Sequence, residues 1–272
     1  MALALMAAVI GGAGILRGAA TSGTTTAAAA SSPAAGSYDA SNPPQGVFDD
    51  EWSVVTIGGQ KVGYAHEALR REGDRVYTET RMVMRIGREA NVVAIDEEDK
   101  TEETVAGEPK AFHSDVTMAQ QPVVVDGRGE GLVMNVTMES GGYKQAKVVT
   151  LPTGTVMTWG EERLTRLKGL KPGTHYEFPM YSPADDLLKP LPTKVDVGAK
   201  EQVAVGGKTV EATRVDERSE AGGNVLDTVV WVDDTGRTVK LELPLGGITA
   251  EITPTTQAEA LADYLPADIF SA

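Results

Sequence analysis

The stretch Arg75-Val-Tyr-Thr-Glu-Thr-Arg-Met-Val-Met-Arg-Ile86 alternates with a period of two. Val76, Thr78, Thr80, Met82, Met84 and Ile86 fall on one side of an extended chain, and Arg75, Tyr77, Glu79, Arg81 and Arg85 fall on the other. A helix, with its period of 3.6, would scatter both sets. The segment therefore reads as a strand with one apolar and one wet face. The same alternation recurs in Phe112–Met118, in Leu132, Met134, Val136 and Met138, and in Leu226, Thr228, Val230 and Val232. Val239, Leu241 and Leu243 continue it.

Short turn signals separate these runs: Gly58-Gly59, Gly73-Asp74, Gly206-Gly207 and Asp234-Thr235-Gly236. Two to four residues reverse a strand but cannot cross over a sheet, so neighbouring strands are antiparallel. About a dozen strands can be drawn in this way. A flat sheet of that width would leave long edges open to aggregation. The predicted fold class is mainly β: a large curled antiparallel sheet or incomplete barrel, with one or two short helices. The helices are expected at Glu161–Lys168, ended by Gly169 and Pro172, and after Thr256, where Glu259 completes a capping box and Pro266 stops the run. In the second, Ala258, Leu261 and Leu265 would form the apolar stripe. Either is long enough to plug a barrel mouth.

Upstream of the strands the composition changes. Met1–Leu16 is apolar or small, with no charge before Arg17, and Ala19–Gln45 is mostly Ala, Ser, Thr, Gly and Pro. Residues 1–18 read as a signal peptide or membrane anchor, and residues 19–47 as a disordered linker with almost nothing large to bury. Residues 48–272 form the β-rich domain, with a candidate internal boundary at the proline-rich interval 179–192. The body is expected outside the cytoplasm, periplasmic or extracellular, meeting the membrane only through the N-terminal segment.

Across 272 residues, 25 Lys+Arg stand against 39 Asp+Glu, a net charge of −14. A field of that sign repels phosphate backbones, so no nucleic-acid partner is expected. There is no cysteine, which removes disulfides, thiolate metal sites and a cysteine nucleophile.

The densest polar feature is Asp96, Glu97, Glu98, Asp99, Glu102 and Glu103, six carboxylates in eight positions. Without the glycine turn of a calcium loop, the run reads as a solvated turn or edge. Asp126–Gly131 reads as a flexible hairpin. His66, His113 and His175 lie on three separate segments with no metal-ligand spacing, and no serine sits in a nucleophile elbow. No catalytic residue, metal site or cofactor is assigned. Trp52, Trp159 and Trp231 read as core anchors before a sugar-stacking platform. The remaining candidate is the apolar lining of Met82, Met84, Met118, Met134 and Met138, on inward positions where a curled sheet could enclose a hydrophobic ligand.

Trp52 with Gly59-Gln60-Lys61-Val62-Gly63-Tyr64, then Gly169-Leu170-Lys171-Pro172-Gly173-Thr174 with Tyr176 and Phe178, then Trp231-Val232-Asp233 with Gly236-Arg237, resemble the β-rich N-terminal region of bacterial transglutaminase-like envelope proteins. They are also similar to exported curved-sheet domains related to the lipoprotein carriers of outer-membrane sorting. The cysteine, histidine and aspartate core of the former group is absent, so the resemblance implies an accessory, non-catalytic domain. The expected role is binding or scaffolding in the cell envelope, with an envelope protein or a hydrophobic ligand as partner. One alternative is a lipid carrier with a dry channel above about 300 Å³ between the concave face and the Thr256–Leu265 helix. The other is a hydrolase built on converging histidines and carboxylates.

Overall fold

The computed structural model describes residues 38–88, 91–118, 121–182, 189–221, 224–244 and 247–266. Fourteen strands form one antiparallel sheet. They are β1 (Gly46–Ile57), β2 (Gln60–Glu72), β3 (Arg75–Arg88), β4 (Asn91–Thr104), β5 (Pro109–Met118), β6 (Gln121–Glu130), β7 (Val133–Ser140) and β8 (Tyr143–Thr150). After helix α1 (Thr158–Lys168) come β9 (His175–Met180), β10 (Leu191–Val205), β11 (Lys208–Ala221), β12 (Asn224–Val232), β13 (Thr238–Pro244) and β14 (Thr249–Thr255), then α2 (Gln257–Leu261). In space the order is β8 to β1 in reverse, then β14 down to β9, so each half is a meander and the two halves join where β1 pairs with β14.

The turns follow from glycine. Gly58 and Gly59 have φ of 58° and 76°, and Gly206 and Gly207 have 56° and 76°, the left-handed pairs that a two-residue hairpin needs.

The sheet is curled. Glu161 on α1 lies beside both Glu67 on β2 and Glu217 on β11, five places apart in the sheet. At about 4.8 Å per strand a flat sheet would separate those two by about 24 Å, beyond one side chain's reach. The sheet stays unclosed, with β8 and β9 at its ends, and Val156 bridges to Met180 along the outer edge of β9.

The inward face carries the core. The largest cluster takes Val55, Met84, Ile95, Val195, Val215, Val230 and Leu241 from strands of both halves, all 0–1% exposed. A second holds Phe112, Met134, Val136, Leu151, Met157 and Tyr181, and a third holds Ala40, Phe48, Leu69, Val76 and Trp159. The segment around α1 joins all three: Leu164 packs on the first, Met157 belongs to the second and Trp159 to the third. The concave face is therefore filled by α1. Helix α2 is only five residues long and contributes Ala260 to the interior.

Several expectations need correction. The acidic run is not a solvated turn or edge: it lies in β4, a strand paired on both sides, with Asp96, Glu98 and Glu102 outward and Glu97, Asp99 and Glu103 inward. Residues 126–130 are part of β6, where Gly127 lacks the Cβ that would fall 2.0 Å from the Phe112 ring. The ordered body begins before residue 48, since Tyr38 and Ala40 pack against Phe48 and Trp159. The α2 capping box is present, but the helix ends at Leu261, and Leu261 and Leu265 are exposed, so no apolar stripe forms. Leu132 lies in a turn, half out of the core. Across the proline-rich interval the sheet is continuous, Met180 pairing with Leu191. Residues 1–18 and most of 19–47 lie outside the described residues.

Candidate functional site

Period-two alternation puts the outward residues of β3–β7 on one surface, and the strand register arranges them in rows. One row runs Tyr77, Glu102, Ala111, Arg128, Asn135. The adjacent one runs Glu79, Lys100, His113, Asp126, Thr137. Ala111 is short where its neighbours are long, and a depression of about 450 Å³ opens over it, bounded by Tyr77, Lys100, Glu102, His113, Asp126 and Arg128. The trough continues past Glu102, Arg128 and Asn135 into a second hollow that reaches Lys110 and the Gly129–Gly131 end of the β6–β7 hairpin.

Its electrostatics are balanced. His113 Nδ1 lies 2.8 Å from Asp126 Oδ1, and Arg128 and Arg75 flank Glu102 at 3.7 and 3.4 Å. Lys100 pairs with Glu98, whose carboxyl it holds below the usual range. With Lys100 and Arg128 against Glu102 and Asp126, the trough is close to neutral, with donors and acceptors set around the Ala111, Phe112 and Gly127 floor. It lies on the most acidic part of the sequence yet escapes the protein's net charge, because β4 turns half of its carboxylates inward.

Those inward carboxylates form their own row. Glu51 on β1 faces Glu67 on β2, Glu67 faces Thr80 on β3, Thr80 faces Asp99 on β4, and Asp99 faces Ser114 on β5. Asp99 hydrogen-bonds Ser114 and Glu97, and burial, the largest influence, raises it. Glu67, Thr80, Glu97 and Asp99 border an interior cavity of about 50 Å³ with Ala65, Met82, Leu241 and Ile252.

Two inward positions further along β4, Glu103 caps α1. Its Oε1 accepts the N–H groups of Met157 and Gly160 at 3.1 and 3.0 Å, and Oε2 accepts that of Trp159 at 2.6 Å. These are the donors a helix N-terminus leaves unsatisfied. Burial nevertheless outweighs the three donors and pushes Glu103 up to about 7.

The methionines do not share one lining. Met82 and Met84 are buried in the first cluster with Met118 against it, while Met134 is buried in the second with Met138 against it. The 50 Å³ cavity beside Met82 is a sixth of the smallest usual ligand pocket, and its carboxylates suit no acyl chain. The histidines do not converge either. His66, His113 and His175 sit on β2, β5 and β9 and take Asp50, Asp126 and Asp196 as separate partners at 3.0, 2.8 and 2.7 Å. Trp159 is fully buried, Trp231 packs with Val203 and Ala212 in a satellite cluster, and Trp52 stacks on His66 at 4.1 Å. Among the described residues no group of three His, Cys, Asp or Glu side chains is arranged to hold a metal ion. No described helix is long and apolar enough to cross a membrane.

No family model and no curated protein matches the chain. Among solved structures, it is similar to a β-barrel-like protein of a domain of unknown function, DUF1849, from Brucella abortus. The TM-score is 0.54 at 16% identity, covering 76% of this chain and 95% of the other. Looser matches are a DUF1089 family protein from Pseudomonas aeruginosa (TM-score 0.29, 14% identity, 64% of this chain and 87% of that one) and a hypothetical lipoprotein, YmcC, from Escherichia coli (0.26, 8%, 79% and 89%). The first supports the curled β architecture and leaves the transglutaminase-like origin an expectation.

Proposed function

We propose that the chain is a non-catalytic binding module of the cell envelope, and that its ligand lies along the outer trough of β3–β7. The observation that carries this reading is where the space lies. The concave face is occupied by α1 and three packed clusters, whereas the outer face offers a groove of about 450 Å³. Its lining combines an aromatic ring, an amide, a hydroxyl and charges of both signs, which suits a polar chain of little net charge rather than a phosphate or an acyl chain. A glycan strand of the envelope is the first candidate, because hydroxyls can use the donors and acceptors of His113, Asp126 and Asn135 together. The envelope location rests on the composition of residues 1–18. A carrier role would require α1 to leave the concave face.

The test is chemical-shift mapping of the full chain titrated with soluble glycan fragments of the envelope. Saturable shifts centred on Tyr77, His113 and Asn135, weakened at least about tenfold by Arg128→Ala combined with Asn135→Ala, support the reading. Saturable shifts confined to another surface, or no binding by any fragment, overturn it.

A further inference from the structure

The trough leaves unused a group of aromatic side chains on the same outer face, at β1 and β2. Trp52 faces His66, and the indole stacks on the imidazole with centroids 4.1 Å apart and planes 22° apart. Val54 faces Tyr64 in the next outward pair, which brings the Tyr64 ring to 5.9 Å from Trp52. The neighbours of Trp52 along β1, Glu51 and Ser53, point inward and are buried, whereas Trp52, Tyr64 and His66 are half-buried and belong to no core cluster. Interior packing therefore does not account for their place. Strand register leads from them to the trough. His66 faces Arg81 on β3, Arg81 faces Glu98 on β4, and Glu98 pairs with Lys100, which borders the trough. The charges on this path are matched: Asp50 lies 3.0 Å from His66 Nε2, and Asp96 accepts two hydrogen bonds from Arg81 at 3.2 and 2.9 Å.

We propose that Trp52, Tyr64 and His66 form a second subsite for the same ligand, an aromatic platform on which one sugar ring of the glycan strand stacks while the strand continues into the trough. The inference rests on the trough reading and deepens it, because it makes the ligand a long chain. Trp52 and His113 lie four strands and one outward row apart, about 20 Å on a sheet with about 4.8 Å between strands. Several sugar rings in line bridge that span, and a disaccharide does not. The chemistry of the platform fits a sugar. Aromatic rings offer apolar faces to the C–H side of a pyranose, and the hydroxyls around its rim meet the Arg81 guanidinium and the carboxylates of Asp50 and Asp96. A phosphate or an acidic polymer would have to compete for cations that already hold carboxylates, since His66, Arg81 and Lys100 are each paired.

Calorimetric titration of the full chain with the β-1,4-linked N-acetylglucosamine disaccharide and hexasaccharide, with the chemical shifts of His113 and Asn135 followed in parallel, tests this. The hexasaccharide should bind at least about tenfold more tightly than the disaccharide, the effect of joining two subsites, and Trp52→Leu should bring that ratio below about threefold. Fluorescence gives a reading that needs no variant and decides the matter if Trp52→Leu fails to fold. Trp159 and Trp231 are 0% and 6% exposed, so acrylamide quenching reports chiefly on Trp52, and saturating hexasaccharide should shield it. Shifts at His113 and Asn135 without a gain from chain length, a gain undiminished in Trp52→Leu, or no shielding by the hexasaccharide overturn the platform and leave the trough standing. No shifts at His113 and Asn135 with either sugar overturn both.

Discussion

Glu103 accepts the backbone N–H of Trp159 at 2.6 Å across fifty-six residues of sequence, one of three helix N–H groups that converge on a single buried carboxylate. This carboxylate docks the plug helix onto β4.

Glu103→Ala should therefore be among the most destabilising substitutions in the molecule. It leaves three buried donors without an acceptor, each costing about 1–3 kcal/mol. A loss of at least about 3 kcal/mol, seen as a Tm lowered by about 6–12 °C in a thermal melt, is expected. Glu98→Gln, five strand positions before Glu103 in the same acidic run but outward-facing, should change stability by less than about 0.5 kcal/mol. Similar costs for the two would mean that Glu103 does not anchor the helix.

Global stability should fall as pH rises. Glu103 and Glu217 sit at about 7 in the folded chain, raised by burial from an unfolded value near 4.5. Between those values the folded state binds more protons than the unfolded one, so stability is complete below about 4.5, declines through 7 and then levels. The scale is on the order of 3 kcal/mol per group. Urea melts should give a higher midpoint at pH 5 than at pH 8; the reverse order would contradict the assignment.

Gly127→Ala places a methyl 2.0 Å from the Phe112 ring, which packs edge-on to Tyr181 with centroids 5.6 Å apart. Expelling that ring from the second cluster should cost about 1–3 kcal/mol. The companion change Phe112→Leu should recover part of the loss, as a double-mutant cycle would show.

Lys61 Nζ donates to the carbonyls of Glu259, Ala260 and Ala262 at 2.8 Å each, closing the C-terminal end of α2 where cations are favoured. Tyr264 adds a hydroxyl bond to Val62 O at 2.7 Å. Lys61→Met should leave the sheet intact while residues 256–266 become sensitive to limited proteolysis. Unchanged cleavage would show that the segment is held by other contacts.

Much of this fold is written locally. The alternation of Arg75–Ile86 assigns each side chain to its observed face, and the paired glycines at 58–59 and 206–207 mark hairpins, because both signals depend only on neighbours along the chain. The acidic run misleads for the same reason. Six carboxylates in eight positions look solvated when composition is averaged, yet in a strand every second one must point inward. Period two was visible there as well, masked by the uniform charge.

The sequence alone determined the strands, their turns, the antiparallel class and the capping box at Thr256, since each is a preference of a few adjacent residues. Tertiary structure decided the rest: which half of the acidic run is buried, that α1 fills the concave face, and that Ala111 opens a groove between Tyr77 and Arg128. Those outcomes depend on strand register and curl, which bring together residues that share no local pattern, and only the packed interior fixes them.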